Sequence, residues 1–258
     1  MSTPEVLVHR DVAALDDAIA ARLVTALVEA QSDGRVAHVC LTGGTLGISC
    51  LAALAASPSH DAIDWPALHV WWGDDRYVPA GDPDRNDAQA RAALLDHVPL
   101  DPAHVHAMPT SDSGLDVDRA AAVYADELKA HSRKEDHAAV PSFDVCLLGI
   151  GPDAHVASLF PQMAGVHETQ RTVVGVHGSP KPPPTRVSLT LPALQASREV
   201  WIIAAGAGKA DAVRLALSDA GPVQVPASAA RGRERTLLLL DEAAASALPA
   251  DLRRLASP

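Results

Sequence analysis

Short runs of apolar residues alternate along the chain with longer, alanine-rich stretches in which apolar positions recur at helical spacing. The short runs predict strands at residues 36–41, 69–73, 143–148, 171–176, 186–191, 200–205 and 236–240. The longer stretches predict helices at residues 11–29, 86–95, 116–131, 207–217 and 241–248, and one more that follows the first strand and ends near Ala56. Asp241 is well placed as the N-cap of the last helix.

This alternation predicts an α/β fold, with a mostly parallel sheet covered by helices on both faces in a Rossmann-like three-layer architecture. The sequence contains no internal repeat, and the charged stretch 131–141 is too short to separate two domains. We therefore expect a single domain over residues 1–258. Ligands of such sheets bind beyond the carboxyl ends of the strands.

Composition narrows the functional classes. The 258 residues are 48% apolar but only 3% aromatic, which excludes general disorder and predicts a core of Ala, Val and Leu. With 21 Lys and Arg against 32 Asp and Glu, the net charge is −11, which argues against a nucleic-acid partner. An anionic ligand would need local basic groups to overcome this overall field.

The cysteines and the apolar segments bear on the compartment. Cys40, Cys50 and Cys146 form no CxxC pair, and such a sparse, odd set predicts reduced thiols in a cytoplasmic protein. No uncharged apolar stretch approaches the roughly 20 residues of a membrane helix. The N-terminal residues lack the apolar segment of a signal peptide. We expect neither a membrane partner nor an export signal.

Glycine-rich and charged segments follow several predicted strands. Residues 42–45 (Thr-Gly-Gly-Thr) join a strand to a helix, which suits either an anion site or an ordinary tight turn. Residues 206–209 (Gly-Ala-Gly-Lys) are not a Walker A loop, because Ile203 and Ala210 stand where that motif needs Gly and Ser or Thr. Residues 74–76 (Asp-Asp-Arg) would line a cleft or begin a solvated loop.

The segment 149–161 is the most informative, because a strand ends there in a Gly-Pro turn that presents Asp153 and His155 two residues apart. Histidine is the side chain best suited to take a proton near neutral pH, and a carboxylate beside it can fix its tautomer. A structural role is the alternative, since the chain has 12 histidines. His104 and His106 have H-x-H spacing, but no acidic or cysteine partner is near in sequence, so we expect no metal site.

Two cations stand in a proline-rich segment, Ser-Pro-Lys-Pro-Pro-Pro-Thr-Arg at residues 179–186. Prolines order a loop in advance, so Lys181 and Arg186 would lose less entropy on gripping an anion. The alternative is a surface linker.

Together and in this order, these segments resemble the 6-phosphogluconolactonase family, which shares a superfamily with the glucosamine-6-phosphate deaminases and isomerases. The resemblance runs from about residue 36 to residue 244. The matching segments are Leu41 to Thr45, Asp74 to Arg76 with Asn86, Leu148 to Pro161, Ser179 to Thr190, Gly206 to Ala210, Pro226-Ala227 and Leu240 to Ala243.

The resemblance implies hydrolysis of 6-phospho-D-glucono-1,5-lactone to 6-phospho-D-gluconate in the oxidative pentose phosphate pathway, by general-base activation of water. We assign His155 as the base, Asp153 as its orienting carboxylate and Arg76 as a candidate stabiliser of the developing oxyanion. The remaining substrate-binding candidates are Gly43, Gly44, Thr45, Asp74, Asn86, Lys181, Arg186 and Lys209. No cofactor or metal is implied, and we expect a monomer or a small homo-oligomer.

The chain departs from the family pattern at several positions. Leu46 follows the glycine turn instead of proline, Asp75 replaces Glu, and Arg85 precedes Asn86 where Ser is usual. Ala154 replaces the glycine before the histidine, which would be strained if its φ is positive.

Two other functions fit parts of the pattern. A sugar-phosphate isomerase or deaminase would carry Asn-Glu-Pro after the histidine, where this chain has Leu159-Phe160-Pro161. A non-catalytic sugar-phosphate sensor would keep the cations and lose the base, whereas His155 is present.

Overall fold

The computed structural model describes residues 1–253. Its strands are β1 Pro4–His9, β2 Ala37–Leu41, β3 Leu68–Trp72, β4 Asp74–Arg76, β5 Val145–Gly149, β6 Val173–Val176, β7 Arg186–Leu189, β8 Glu199–Ala204 and β9 Arg235–Asp241. Its α-helices are α1 Val12–Gln31, α2 Gly44–Ala56, α3 Asn86–Ala93, α4 Val117–His131, α5 Leu191–Gln195, α6 Ala210–Ala216 and α7 Pro226–Ala229.

Six strands form one sheet in the order β1-β9-β8-β5-β2-β3, and every pairing in it is parallel. All five residues of β2 are buried, as are six of the seven residues of β9. Successive residues of a strand point to opposite faces, so the sheet is covered on both faces. The predicted α/β fold with a mostly parallel sheet is confirmed.

A second sheet of three strands, in the order β4-β7-β6, is antiparallel. Its strand β4 follows β3 after the single residue Gly73, and it contains the charged run predicted as the end of a strand. Pairing with β7 places Arg76 opposite Arg186. This small sheet therefore carries three of the predicted site residues, Asp74, Arg76 and Arg186.

Local differences from the predicted elements have identifiable causes. The strand β1 was not predicted, because its pairing with β9 joins residues more than 200 positions apart. The helix predicted at 241–248 is wrong: Asp241 ends β9, and its side chain accepts from the amide of Ala244 in a run of turns. Residues 207–209, predicted as the start of a helix, form a 3₁₀ turn before α6.

Three cysteines lie unpaired and buried in the core, as the sequence predicts. Cys40 and Cys146 face each other across neighbouring strands β2 and β5. Within residues 1–253, no helix has the length and apolar character needed to cross a membrane.

Candidate active site

A cleft of about 530 Å³ opens beyond the carboxyl ends of β2, β5 and β8. The segments that follow these strands form part of the walls of the cleft: Thr42 to Gly47, Gly149 to Gly151, and Ala205 with Gly206. The second sheet and the proline-rich loop close the remaining side. Both the position and the size suit a small-molecule ligand of a parallel α/β sheet.

His155 and Asp153 form a hydrogen-bonded pair at this cleft. The imidazole Nδ1–H donates to Asp153 Oδ1 at 2.6 Å, which assigns the proton to Nδ1 and leaves the lone pair on Nε2. His155 lines the cleft and its side chain is 13% exposed, while that of Asp153 is 38% exposed. The ring also packs against Phe160, with centroids 4.5 Å apart. The base is thus oriented from two sides.

The turn before His155 depends on a glycine and on an unusual alanine. A Cβ added to Gly151 would overlap the His155 ring and the Asp153 carboxylate, so the pair can form only over a bare backbone. Ala154 has φ +61° and is fully buried. An L-residue in this left-handed region is strained by roughly 1–2 kcal/mol. The φ of Ala154 is positive, which is the condition under which the sequence predicts strain there.

The surroundings determine the protonation of the pair. Burial lowers the pKa of His155 below its ordinary 6.5, although the Asp153 carboxylate opposes the effect. Burial would raise the pKa of Asp153, but the hydrogen bond and charge of His155, together with Lys181, outweigh burial and lower it. At neutral pH the histidine is therefore a neutral base beside an ionised carboxylate.

Two lysines approach this pair from different elements. Lys181 Nζ lies 3.6 Å from Asp153 Oδ1 and 3.5 Å from His155 Nδ1. Lys209 Nζ donates to the carbonyl of Ile150 at 2.7 Å, and burial followed by the charge of Lys181 lowers its pKa. Both lysines line the cleft. They supply local positive charge against the net negative charge of the chain.

Arg186 is buried under the proline-rich loop and holds it in place. Its Nε donates to the carbonyl of Pro183 at 3.1 Å, and its Nη2 donates to that of Pro182 at 2.9 Å. Its Nη1 points towards Ser158 Oγ at 3.5 Å and Asp74 Oδ2 at 3.9 Å. Most of its donors are used within the protein, so only the Nη1 side can face a ligand.

The polar floor of the cleft is formed by Asp74 and Asn86. Asp74 Oδ2 accepts from Ser158 Oγ at 2.6 Å, and Asn86 Nδ2 donates to the Asp74 carbonyl at 2.8 Å. The Asn86 carboxamide lies directly over Gly43, where any Cβ would overlap its Oδ1. Within residues 1–253 that buried Oδ1 has no hydrogen-bond partner. It is therefore an unpaired acceptor packed against the Gly43 backbone.

A buried ion pair supports this floor from below. Arg85 Nη2 lies 3.2 Å from Asp75 Oδ2, and both side chains are 1% exposed. Asp75 Oδ1 accepts from the amides of Arg76 and Asn86, at 2.8 and 2.7 Å. Arg85, which departs from the family pattern, also donates to the carbonyl of Met108 at 2.8 Å. The pair fixes the backbone that presents Arg76 and Asn86.

Arg76 and the start of α2 contribute the remaining donors. Arg76 Nη1 donates to the Asp84 carbonyl, and its buried Nε has no partner within the described part of the chain. Helix α2 begins at Gly44 after the N-cap Gly43, and among the described residues no side chain caps it. Its first amides therefore face the cleft unpaired, where an anion or a developing negative charge would be stabilised.

All the site residues predicted from the sequence line the cleft except Asp153, which stands behind His155. Two further groups were not predicted from the sequence: Ser158, which joins Asp74 to Arg186, and the Ile150 carbonyl, which holds Lys209. These roles depend on contacts between distant segments, which no local motif predicts.

A parallel α/β sheet with an oriented histidine base in a cation-lined cleft defines an enzyme that acts on a small anionic substrate. Residues 10–239 match the family described as glucosamine-6-phosphate isomerases/6-phosphogluconolactonase, and the chain belongs to this family.

Known relatives agree with this assignment. The chain is 63% identical over 252 residues to 6-phosphogluconolactonase of Streptomyces coelicolor, covering 97% of each chain. It is 50% identical over 230 residues to 6-phosphogluconolactonase of Mycobacterium tuberculosis, covering 88% of this chain and 92% of the relative. The solved 6-phosphogluconolactonase of Trypanosoma brucei superposes with a TM-score of 0.82 at 29% identity, covering 96% of this chain and 100% of that one. The resemblance to these relatives predicted from the sequence is confirmed.

Proposed function

We propose that this chain hydrolyses 6-phospho-D-glucono-1,5-lactone to 6-phospho-D-gluconate, the lactone-opening step of the oxidative pentose phosphate pathway. The observation that carries the proposal is the Asp153–His155 pair beside a cation-lined cleft of about 530 Å³. Family membership and relatives named 6-phosphogluconolactonase at 63% and 50% identity agree with it.

His155 acts as the general base in this proposal. Its Nε2 takes a proton from water while the water oxygen attacks the lactone carbonyl. Asp153 keeps the proton on Nδ1 and stabilises the imidazolium that forms, which the 2.6 Å contact supports. The imidazolium then returns the proton to the ring oxygen as the carbon–oxygen bond of the lactone breaks. A δ-lactone is an activated ester, so these reaction steps need neither a covalent intermediate nor a metal.

Negative charge develops on the carbonyl oxygen during the attack, and donors that await it lower the barrier. Arg76 and backbone N–H groups of the other loops that line the cleft are our candidates for this role. The guanidinium of Arg76 is held by the Asp84 carbonyl, and the residue lines the cleft, which supports this role.

The phosphate is gripped by Lys181 and Lys209, with the Nη1 of Arg186 and the turn Gly43-Gly44-Thr45 completing the set. Each charge-assisted contact contributes about 1.5–3 kcal/mol. Asp74 and Asn86 both line the cleft, and we assign them to the sugar hydroxyl groups.

We further propose that the chain works in the cytoplasm as a single domain, either as a monomer or as a small homo-oligomer. Three unpaired, buried thiols support a reducing compartment. The proposed base, its carboxylate and the cations all come from one chain, so the site needs no partner subunit.

A coupled assay for 6-phosphogluconate tests the function. Freshly generated 6-phosphogluconolactone is added to the purified chain, and product formation is compared with spontaneous hydrolysis. We expect a large acceleration with the lactone and no release of ammonia from glucosamine 6-phosphate. Ammonia release would instead support a deaminase, and lactone binding without acceleration would support a sensor.

A further inference from the structure

A group of histidines lies outside the cleft, on the edge strand of the main sheet. It consists of His69 on β3, His106 beside it, and His131 at the end of α4, and we call these three the histidine cluster. One ring nitrogen from each lies within 4.8 Å of the others. None of the three lines the cleft, and the proposed lactonase mechanism does not use them.

Hydrogen bonds already orient two of the rings. His106 Nδ1 is 2.8 Å from Glu127 Oε1, and His131 Nδ1 is 3.0 Å from the backbone carbonyl of Glu127. Both partners are acceptors, so both Nδ1 atoms carry protons and both Nε2 atoms keep lone pairs. Metal-binding histidines typically donate their other N–H to a carboxylate or a carbonyl in this way.

The third ring completes the group. His69 Nδ1 is 2.8 Å from His106 Nε2, so His69 donates its Nδ1 proton to that lone pair. Moving this proton to Nε2 of His69 would free Nδ1 as a ligand without releasing any proton. Two nitrogens on a tetrahedral zinc ion stand about 3.3 Å apart, given Zn–N bonds of about 2.0–2.1 Å. Only a small separation of the two rings is therefore needed.

The environment of His69 and His106 favours their neutral forms and fixes their rings. Burial, followed by the neighbouring histidines, lowers the pKa of His69 to about 4. Burial also lowers the pKa of His106, against the effect of Glu127. Trp71 stacks on His106 at 3.8 Å and 7°, and His104 stacks on His69 at 4.0 Å. Neutral, immobilised imidazoles are the form that binds transition metals.

We propose that His69, His106 and His131 bind one divalent transition-metal ion of the zinc class, with water in the fourth position. Imidazole ligands favour Zn²⁺, Co²⁺, Ni²⁺ and Cu²⁺ over Mg²⁺ and Ca²⁺. The ion joins β3, the segment around His106 and α4. Tyr124 Oη already links the three, because it accepts from the Trp72 amide at 3.1 Å and donates to the His106 carbonyl at 3.2 Å. It is a stabilising site, separate from the cleft.

The test titrates the purified, chelator-treated full chain with Co²⁺ and follows its visible d–d absorption, with Zn²⁺ calorimetry and thermal melting in parallel. We expect one ion per chain and a Tm that rises with metal concentration. Removing a ligand by H131Q should weaken binding by about 100-fold or more, and E127Q should weaken it by roughly 10–100-fold. The control H97Q removes an exposed histidine and should bind like the parent.

Circular dichroism establishes that each variant is folded. A second ligand variant, H69Q, removes a side chain inside the cluster. If H69Q does not fold, H131Q decides the test, because His131 is 31% exposed at a helix end and its replacement disturbs the fold less. Equal Co²⁺ binding by H131Q and the parent would overturn the proposal. Loss of binding in H155N with retention in H131Q would also overturn it, because the ion would then sit in the cleft.

Discussion

Asp153→Asn removes the charge beside the imidazole of His155, the proposed base, with almost no change in size. Two unit charges about 4 Å apart attract by roughly 1 kcal/mol in water and roughly 4 kcal/mol at a dielectric constant near 20. Asp153 is 38% exposed and shares its charge with Lys181 at 3.6 Å, so we take about 1–2 kcal/mol from the lower part of that range. This corresponds to a factor of about 5–30 in the stability of the imidazolium.

We therefore expect D153N to lower kcat by at least about fivefold, with a larger loss if the new amide turns its NH₂ towards Nδ1 and moves the ring proton to Nε2. The pH dependence gives an independent signature. His155 must be neutral to accept a proton, so activity rises as pH passes upwards through its pKa. Removing the carboxylate lowers that pKa further, and the acid limb of the residual kcat/KM profile should move to lower pH.

The assay is the initial rate of 6-phosphogluconate formation between pH 5 and 8, with spontaneous hydrolysis subtracted. D211N is a matched control, because Asp211 is 86% exposed and its one ion pair within residues 1–253 is with its helix neighbour Arg214 at 3.7 Å. An acid limb that stays in place, or moves to higher pH, would refute the assigned coupling between Asp153 and His155.

Three further predictions follow from the same geometry. Lys181→Ala should raise KM for the phosphorylated lactone about 10–150-fold and leave KM for the unphosphorylated lactone nearly unchanged. The control Lys134→Ala should alter neither KM, and equal losses on both lactones would exclude a contact between Lys181 and the phosphate. Arg85→Met should lower the free energy of unfolding in urea by about 3–5 kcal/mol, because it leaves the buried Asp75 carboxylate without its partner. The control Arg91→Met should lower it by under about 1 kcal/mol, and similar losses in the two variants would argue against a structural ion pair. Sulfate should inhibit more than chloride at equal ionic strength by occupying the cations of the cleft, and identical inhibition would argue against a specific anion site.

Much of the architecture follows from local patterns. The buried strand β5 is a continuous apolar run, and β2 is one that only His38 interrupts. The turns that follow them contain the glycines that a ligand-facing backbone requires. The Asp153–His155 pair could be predicted because both residues belong to one short turn. The part of the site that lies within single segments was therefore readable in the sequence.

The features of the fold and of the site that could not be predicted from the sequence depend on contacts between distant segments. The edge strand β1 contains Pro4 and Glu5 and becomes a strand through its pairing with β9. The run after Asp241 is rich in alanine, yet the Asp241 carboxylate also accepts from the Gly206 amide at 3.0 Å, and turns follow it instead of a helix. The histidine cluster likewise joins positions 69, 106 and 131, which no spacing rule connects.

The central claim is that His155 is the base, and the most direct measurement is the rate of 6-phosphogluconate formation by H155N beside the parent. His97→Asn, at an exposed position, provides the matched control. A general base contributes about 10²–10⁴-fold, so we predict a loss of that size with unchanged thermal stability and near-parental activity in the control. An H155N variant that is folded and within about threefold of the parental rate would contradict the mechanism, since general-base removal should cost far more.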